Sequence, residues 1–373
     1  MIVYLSTIII TLVLGYILLQ HEHETGKSFR KEYIFIISVV LILESGLRNW
    51  AVGADTYAYY LGYEETRLYS WSFIQQITLN YYVHGIGKDP GYVAFVKLSQ
   101  YVLPHYQLFL LSIASIFFLS LANFIYKNTE RLSDAVYAYV LYSCLFFGFF
   151  SLTGHRQTIA TAAALYGYEL IKKRKMLTFF LLIILASSIH KSVLIFLPFY
   201  FIAPLKETVL FCWGGLLLFP LLMVFRTQFS QILKDMSGYG EYGIYEGANT
   251  STFTLMLLLV TVVSLWRIKI VLLENEKIRP VYNAFIFAVY FTPLTFVNPS
   301  AMRVVQYYSI FMLLLLPSVI NSFTVESKST GRVVYFMSLS LLVFLFINAN
   351  MYSEYKFFWQ TMEFGENYHW LNN

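Results

Sequence analysis

Long runs of apolar residues constrain this chain more than any other feature. About 20 such residues cross the roughly 30 Å of hydrocarbon in a bilayer. Only 13% of the residues are charged, whereas a soluble domain carries about 25%. The sequence therefore predicts an all-α, polytopic transmembrane helix bundle of about 12 spans, built as a single integral membrane domain over residues 1–373. The runs lie at roughly 2–20, 33–50, 106–126, 134–152, 157–171, 176–190, 192–205, 208–226, 251–270, 281–298, 303–320 and 333–351.

The runs 176–190 and 192–205 are short and meet at His190-Lys191. They form either two short spans or one long span with a buried break. With twelve crossings and the N-terminus outside, the inner loops and span ends hold 16 of the 26 Lys and Arg residues. Fusing the pair would move Arg267, Lys269, Lys277, Arg279, Lys328 and Arg332 outside. Because cytoplasmic loops carry the excess of Lys and Arg, twelve crossings are favoured. A re-entrant 192–205 is the alternative.

Two polar segments, 51–105 and 227–250, are long enough to fold outside the lipid, and this topology places both on the outer face. The first contains an amphipathic stretch at 91–103, which predicts a helix on the membrane surface. The tail 352–373 is rich in Tyr, Phe and Trp and is also predicted outside. Such side chains favour the membrane–water interface.

Four cations fall at the outer ends of the predicted spans: Arg48, Arg156, Lys191 and Arg303. Ionisable groups at this depth are costly unless they are paired or face water. Four cations at one level would repel one another, so their convergence indicates a bound anion. The planar fork of Arg suits a phosphate, and a lipid phosphate or diphosphate is therefore predicted. For any single cation the alternative is snorkelling to lipid headgroups.

Two residues at the same level are candidates for proton transfer, His190 and Asp55. Histidine exchanges a proton near neutral pH, and a buried carboxyl group can be tuned to do so. Each also has a structural alternative, since His190 could end a helix and Asp55 could cap one. Asp89 stands before Pro-Gly, a turn signal, so it is assigned a structural role.

Six sets of residues, taken in order, carry a resemblance to a known family: 46–48 with 52–60, then 89–92, 156–160, 189–192, Arg303 with Tyr307, and 355–357. Their order and spacing resemble the EpsG-type, Wzy-like polysaccharide polymerases over nearly the whole chain. Three positions depart from the family pattern. His155 stands before Arg156, where an apolar or small residue is usual. Ala54 stands where Thr is usual, and Asp89 stands where Glu is usual.

The resemblance implies a GT-C-like membrane glycosyltransferase in a bacterial plasma membrane, with its active site on the outer face. It would move a glycan from a polyprenyl diphosphate to a sugar hydroxyl of another lipid-linked repeat unit, making an O-antigen, capsule or exopolysaccharide. No cofactor, metal or nucleic acid is expected. The expected partners are the lipid-linked donor and acceptor, membrane lipid and a chain-length regulator protein.

Roles for individual residues follow from combining the resemblance with the cations. The diphosphate would be held by Arg156 and Arg303, with Arg48 and Lys191 in support. His190 would accept the proton of the attacking hydroxyl, and Asp55 is the rival base or the group that orients His190. The expected sugar contacts are Tyr57, Tyr59, Tyr60 and Gln157.

Other classes of protein share parts of this pattern. A flippase for a lipid-linked oligosaccharide would share the basic site but would show matching repeats with broken helices, and the sequence shows none. A ligase would transfer the same lipid-linked glycan to a different acceptor. A structural subunit of a biosynthetic complex would not need ionisable groups at one depth.

Overall fold

The computed structural model describes residues 2–53, 55–237, 250–325, 327–350 and 354–361. For residues 234–237 and 349 it describes the backbone only. Within these ranges the chain is helical, and its one β-bridge joins Arg48 to Phe357. The all-α prediction is confirmed. The α-helices are α1 Ile2–Thr25, α2 Arg30–Gly46, α3 Thr56–Leu68, α4 Trp71–His84, α5 Pro90–Val102, α6 Tyr106–Asn128, α7 Leu132–Leu145, α8 His155–Lys172, α9 Met176–Ile189, α10 Phe199–Ile202, α11 Thr208–Val224, α12 Arg226–Ser237, α13 Ser251–Glu274, α14 Arg279–Phe291, α15 Met302–Ser309, α16 Met312–Ser322 and α17 Lys328–Asn350.

Four helices, α1, α6, α13 and α17, are each long and apolar enough to cross a bilayer. Two bent pairs pass the same test when each is taken as one span. The pair α11 with α12 bends by 93°, and the pair made of 299–309 and α16 bends by 53°. The described residues therefore contain four to six candidate spans. Helices of 14 residues such as α7 and α9 are only about 21 Å long.

The ambiguous pair of runs is interrupted in the structure. Helix α9 ends at Ile189, and a 3-10 segment, Lys191–Phe196, leads into the short α10. The break falls at His190, where the sequence places it. A continuous helix over 176–205 is therefore excluded.

The segment 51–105 forms three helices, although the sequence predicts only one. Helix α5 matches the predicted amphipathic stretch, while α3 and α4 were not predicted. Local signals for α4 are present in the sequence, because Ser70 accepts a capping hydrogen bond from Phe73 N at 3.2 Å and Gly85 ends the helix at a φ of 68°. Of the segment 227–250, residues 227–237 belong to α12 and residues 238–249 lie outside the described residues. Of the predicted tail, 354–361 is described.

The chain divides into two compact units: residues 1–166 with 188–190 and 339–373, and residues 167–187 with 191–338. In the first unit, buried hydroxyl groups join the helices. Ser38 Oγ and Tyr139 Oη lie 2.6 Å apart, and Ser45 Oγ donates to the Ser151 carbonyl at 2.7 Å. Side-chain hydrogen bonds of this kind connect helices where water is excluded.

In the second unit, Arg267 ties α13 to α16. Charge bias counts Arg267 with the basic residues at the inner side, but the structure places it 3% exposed inside α13. Its Nε donates to Ser322 Oγ at 3.0 Å, and its Nη2 donates to the Ser322 carbonyl at 2.7 Å. The guanidinium also lies 4.3 Å from the centre of the Phe323 ring. Neighbouring groups in the protein therefore bind this charge.

Replacing Gly46 by alanine is expected to destabilise the first unit. A Cβ there would lie 2.9 Å from Leu111 Cα, so α2 and α6 would have to move apart. Overpacking of this kind costs about 1–3 kcal/mol, which predicts a lower melting temperature in detergent. Gly62→Ala in α3 is the matched control, because nothing lies within 4 Å of its added Cβ, and it should melt at the wild-type temperature or above. Equal melting of the two variants would contradict this packing.

Candidate functional site

Asp89 lies immediately before α5, and its carboxylate joins residues that are distant in sequence. Its backbone adopts the left-handed conformation (φ 48°), which Asp and Asn tolerate better than most residues. The side chain makes no capping hydrogen bond to α5. Instead, Oδ2 accepts a 2.7 Å hydrogen bond from Arg156 Nη1 and lies 3.4 Å from His190 Nδ1. Asp89 is 1% exposed, so its charge is matched by protein groups.

A glycine makes this approach to His190 feasible. Gly91, two residues after Asp89, packs against Ser188, two residues before His190. A Cβ on Gly91 would lie 2.8 Å from the Ser188 carbonyl carbon, closer than real Cβ atoms come. The sequence Asp-Pro-Gly therefore does more than make a turn, because its glycine lets the start of α5 reach the 188–190 segment.

Arg156 is the accessible cation of this cluster. Its side chain is 23% exposed, against 1% for Asp89 and 4% for His190. Besides Asp89 it contacts Tyr59, with Nε 3.4 Å from the phenol oxygen. A guanidinium has five N–H donors, so these two contacts fix its orientation and leave donors for another anion.

His155, the first residue of α8, contacts Arg48 with one ring nitrogen and Tyr92 with the other. Its Nε2 lies 3.1 Å from Arg48 Nη2, and its Nδ1 lies 3.3 Å from Tyr92 Oη. Because a guanidinium can only donate, Nε2 must accept, and the neutral ring then donates from Nδ1 to Tyr92. Burial raises the pKa of Tyr92 above its usual value, which keeps this phenol protonated. The ring of Tyr59 stacks on His155 at 4.2 Å.

Arg48 lies deeper than the sequence suggested. It is 2% exposed and donates to the Ser45 carbonyl and to His155. The backbone beside it is held by the described C-terminal residues, since Asn49 N donates to the Lys356 carbonyl at 2.8 Å. In this structure Arg48 supports His155 and adds positive charge behind it.

The predicted sugar-binding residues separate into two groups. Tyr57 and Tyr60 form a partly exposed aromatic face with Trp50, whose ring centre lies 5.3 and 5.2 Å from theirs. Tyr59 turns towards His155 and Arg156 instead, and Gln157 is 2% exposed. Trp50 was not among the predicted residues, although it stands just before the motif that contains these tyrosines.

Asp55 lies exposed at the start of α3. Its carbonyl accepts a hydrogen bond from Tyr59 N at 3.2 Å, and its side chain makes no capping hydrogen bond. The carboxylate that contacts His190 is that of Asp89. The sequence signal for this role is the motif at 89–92, which by itself indicates only a turn.

The remaining predicted cations, Lys191 and Arg303, belong to the second unit, and both are partly exposed. There Ser192 Oγ lies 3.2 Å from Tyr307 Oη, which joins the 3-10 segment to α15. Arg303 is held near the start of α15, where Asn298 Oδ1 caps the preceding turn at Ser300 N, 2.8 Å away.

Among the described residues, no group of three or more His, Cys, Asp or Glu side chains is arranged to hold a metal ion.

Comparison with known proteins identifies the family. A sequence model of the EpsG family matches residues 31–361. The chain belongs to the EpsG family. This confirms the resemblance carried by the six sets of residues, all of which lie within the matched range. No curated protein and no solved structure matches the chain.

Asp89→Asn is expected to lower the stability of this EpsG-family protein. Asparagine keeps the left-handed backbone accessible but removes the charge that binds Arg156. A hydrogen bond to a charged group contributes about 1.5–3 kcal/mol, and the lower end applies because Arg156 is partly exposed. Asp55→Asn, at an exposed site, should change stability by less than about 0.5 kcal/mol. Thermal unfolding in detergent measures both changes. An equal change in the two variants would show that the ion pair of Asp89 with Arg156 does not stabilise the fold.

Proposed function

We propose that this EpsG-family protein is a membrane glycosyltransferase that polymerises polyprenyl-diphosphate-linked oligosaccharide units into a surface polysaccharide. Its family supports a membrane polysaccharide polymerase. The observation that carries the proposal is the partly exposed Arg156, which Asp89 holds beside His190.

The charge of the cluster favours an anion. With His155 and His190 neutral, the positive charges of Arg48 and Arg156 exceed the single negative charge of Asp89. Because the side chain of Arg156 is partly exposed, the surplus positive charge is accessible to a ligand that contacts this guanidinium. An arginine fork binds two oxygens of a phosphate at once, which suits the diphosphate of a lipid-linked donor.

The reaction breaks one bond and forms another. The oxygen of an acceptor sugar hydroxyl bonds to the anomeric carbon of the donor glycan, and the bond from that carbon to the diphosphate oxygen breaks. The electron pair leaves with the polyprenyl diphosphate, so negative charge grows beside Arg156. A fixed cation in a dry site stabilises such charge without reorganising.

His190 accepts the proton of the attacking hydroxyl. The Asp89 carboxylate accepts a hydrogen bond from Nδ1 of His190, so the proton resides on Nδ1 and Nε2 carries the lone pair. A carboxylate that orients a histidine and stabilises its charged form is a recurring device in proton transfer. Asp55, the rival base, is exposed at the start of α3 and has no such partner in this geometry.

Trp50, Tyr57 and Tyr60 supply the sugar-binding surface in this proposal. Their rings are partly exposed and lie 26–33° from parallel with one another. Flat aromatic faces bury the apolar faces of sugar rings and leave the hydroxyl groups to bond elsewhere.

The topology of the enzyme is part of the proposal. Twelve crossings of a GT-C-like bundle would place 51–105 outside a bacterial plasma membrane and 172–175 inside. Helical segments of the described residues overlap all twelve apolar runs, and four to six of these are long and apolar enough to cross a bilayer. The excess of Lys and Arg in the predicted inner loops supports the proposed topology.

Loss of Arg156 or His190 should slow polymerisation strongly. Purified protein in nanodiscs, supplied with a defined polyprenyl-diphosphate oligosaccharide, is expected to give a ladder of repeat-unit multiples on a gel. Arg156→Gln should slow ladder formation about 10²–10³-fold, as for other groups that stabilise developing charge. His190→Gln should slow it about 10²–10⁴-fold, the range for general bases.

Two matched variants control for the loss of charge and of a ring. Arg67→Gln removes a partly exposed arginine of α3 that pairs with Glu64 at 2.8 Å, and His84→Gln removes an exposed histidine. Both should leave the ladder intact. Arg303→Gln and Lys191→Gln belong in the same assay, where a raised KM for the donor would support their predicted diphosphate contacts.

The assay also separates the alternative classes. Movement of intact lipid-linked substrate between leaflets without a ladder would show a flippase and would exclude the catalytic roles of Arg156 and His190. A single product on an unrelated acceptor, again without a ladder, would show a ligase.

Cysteine labelling tests the proposed sidedness. In a variant lacking Cys144 and Cys212, Lys88→Cys should react with a membrane-impermeant maleimide added to spheroplasts. Lys173→Cys should react only after the membrane is opened. Both positions are exposed in the structure, so burial does not explain a failure to react. The reverse pattern would place the 51–105 segment in the cytoplasm.

A further inference from the structure

A second basic site lies within the second unit, around a cavity of about 360 Å³. It falls within the range of ligand pockets, about 300–1,000 Å³. The charged residues of its lining are Lys172, Arg174, Lys206, Lys277, Arg279 and Glu276. Five cations therefore surround it with one carboxylate.

Three turns supply these cations, and a hydrogen bond joins two of the turns. Arg279 Nη1 donates to the Lys206 carbonyl, and its Nη2 donates to Glu276 Oε1 at 3.0 Å. Lys172 Nζ lies 2.8 Å from Glu169 Oε1. Arg174 adopts a left-handed φ of 56° in the turn between α8 and α9. A specific contact therefore joins the Lys206 turn to the Arg279 segment within one unit.

A buried asparagine strengthens this arrangement. Asn283 is 0% exposed, and its Nδ2 lies 3.2, 3.2 and 3.1 Å from the carbonyl oxygens of Ile202, Ala203 and Leu205. These carbonyls end α10 and precede Lys206. Asn283 thus holds one wall of the cavity in place before any ligand arrives.

Three of the cations lack a compensating charge. Glu276 pairs with Arg279, and Glu169 pairs with Lys172. Within the described residues no carboxylate forms an ion pair with Arg174, Lys206 or Lys277. A general excess of basic residues in inner loops does not require them to surround one cavity.

We infer that this cavity binds a phosphate-bearing anion and that its ligand is the headgroup of an anionic phospholipid. In the topology favoured by charge bias, all three turns face the cytoplasm, where basic pockets between transmembrane helices bind anionic lipid headgroups. The site is separate from the Arg156 cluster in the first unit, and the inference does not depend on the proposed reaction. Free phosphate shares the chemistry and is the alternative source.

Native mass spectrometry of the full chain in detergent tests the inference. The probes are phosphatidylglycerol and phosphatidylcholine with identical acyl chains. Wild-type protein should retain phosphatidylglycerol preferentially. The triple variant Arg174→Asn, Lys206→Gln, Lys277→Gln should bind it more than tenfold more weakly, since each basic residue near an anionic headgroup is worth about fivefold in affinity. Asparagine at 174 suits the left-handed backbone.

A matched triple variant removes equal charge nearby. Lys173→Gln, Lys175→Gln, Lys269→Gln alters exposed cations that do not line the cavity, and it should bind phosphatidylglycerol within about threefold of wild type. Both proteins must elute and melt as the wild type does. If the lining triple does not fold, the single variant Lys277→Gln should still weaken binding about fivefold.

The remaining outcomes decide the source of the phosphate. Displacement of the lipid by millimolar inorganic phosphate would support the anion site but assign it to free phosphate. Retention of the lipid under those conditions would assign it to the headgroup. Equal losses in the two triple variants, or no preference for phosphatidylglycerol over phosphatidylcholine in the wild type, would overturn the inference.

Discussion

A carboxylate enclosed by apolar surroundings must be paired, and this constraint organises the first unit around Asp89. Removing an ion from water costs several kcal/mol unless hydrogen bonds and an opposite charge replace the water. Arg156 and His190 provide those partners from positions 67 and 101 residues away. Three segments must therefore meet at one point, and Gly91 allows two of them to come close enough. The positions of α5, the start of α8 and the end of α9 all depend on this meeting.

The other groups of the cluster follow from the same need to balance charge. Arg156 is oriented by Asp89 and Tyr59 but keeps an exposed edge, whereas Arg48 is enclosed and bonded to Ser45 and His155. A neutral His155 between the two arginines separates like charges while accepting a hydrogen bond from Arg48. The cluster thus combines one accessible cation with a surplus of positive charge behind it. An arrangement of this kind suits a ligand whose negative charge increases during a reaction.

The two units illustrate different ways to manage buried polar groups in a mostly apolar chain. In the first unit, hydroxyl groups of Ser and Tyr bond across helices, and the buried Asp89 is paired within a cluster that contains Arg156 and His190. In the second, Arg267 is satisfied by Ser322 and Phe323, while exposed cations gather around a cavity whose wall is fixed by Asn283. Each unit therefore carries its own candidate anion site, and the two can be tested independently.

The sequence alone determined the membrane character, the all-α class and the family. Apolar run length and short motifs are local properties of the chain, so no tertiary information was needed. It also located the break at His190.

Only the tertiary structure decided that Asp89, and not Asp55, contacts His190, that Arg48 lies behind His155, and that Trp50 joins Tyr57 and Tyr60. Those facts depend on contacts between segments many residues apart, and the direction of a side chain such as that of Tyr59 is set by what packs against it. A turn signal like Asp-Pro-Gly reads the same in a sequence whether its carboxylate caps a helix or binds an arginine 67 residues away. The fold makes that choice, because only the folded chain shows which charge must be satisfied without water.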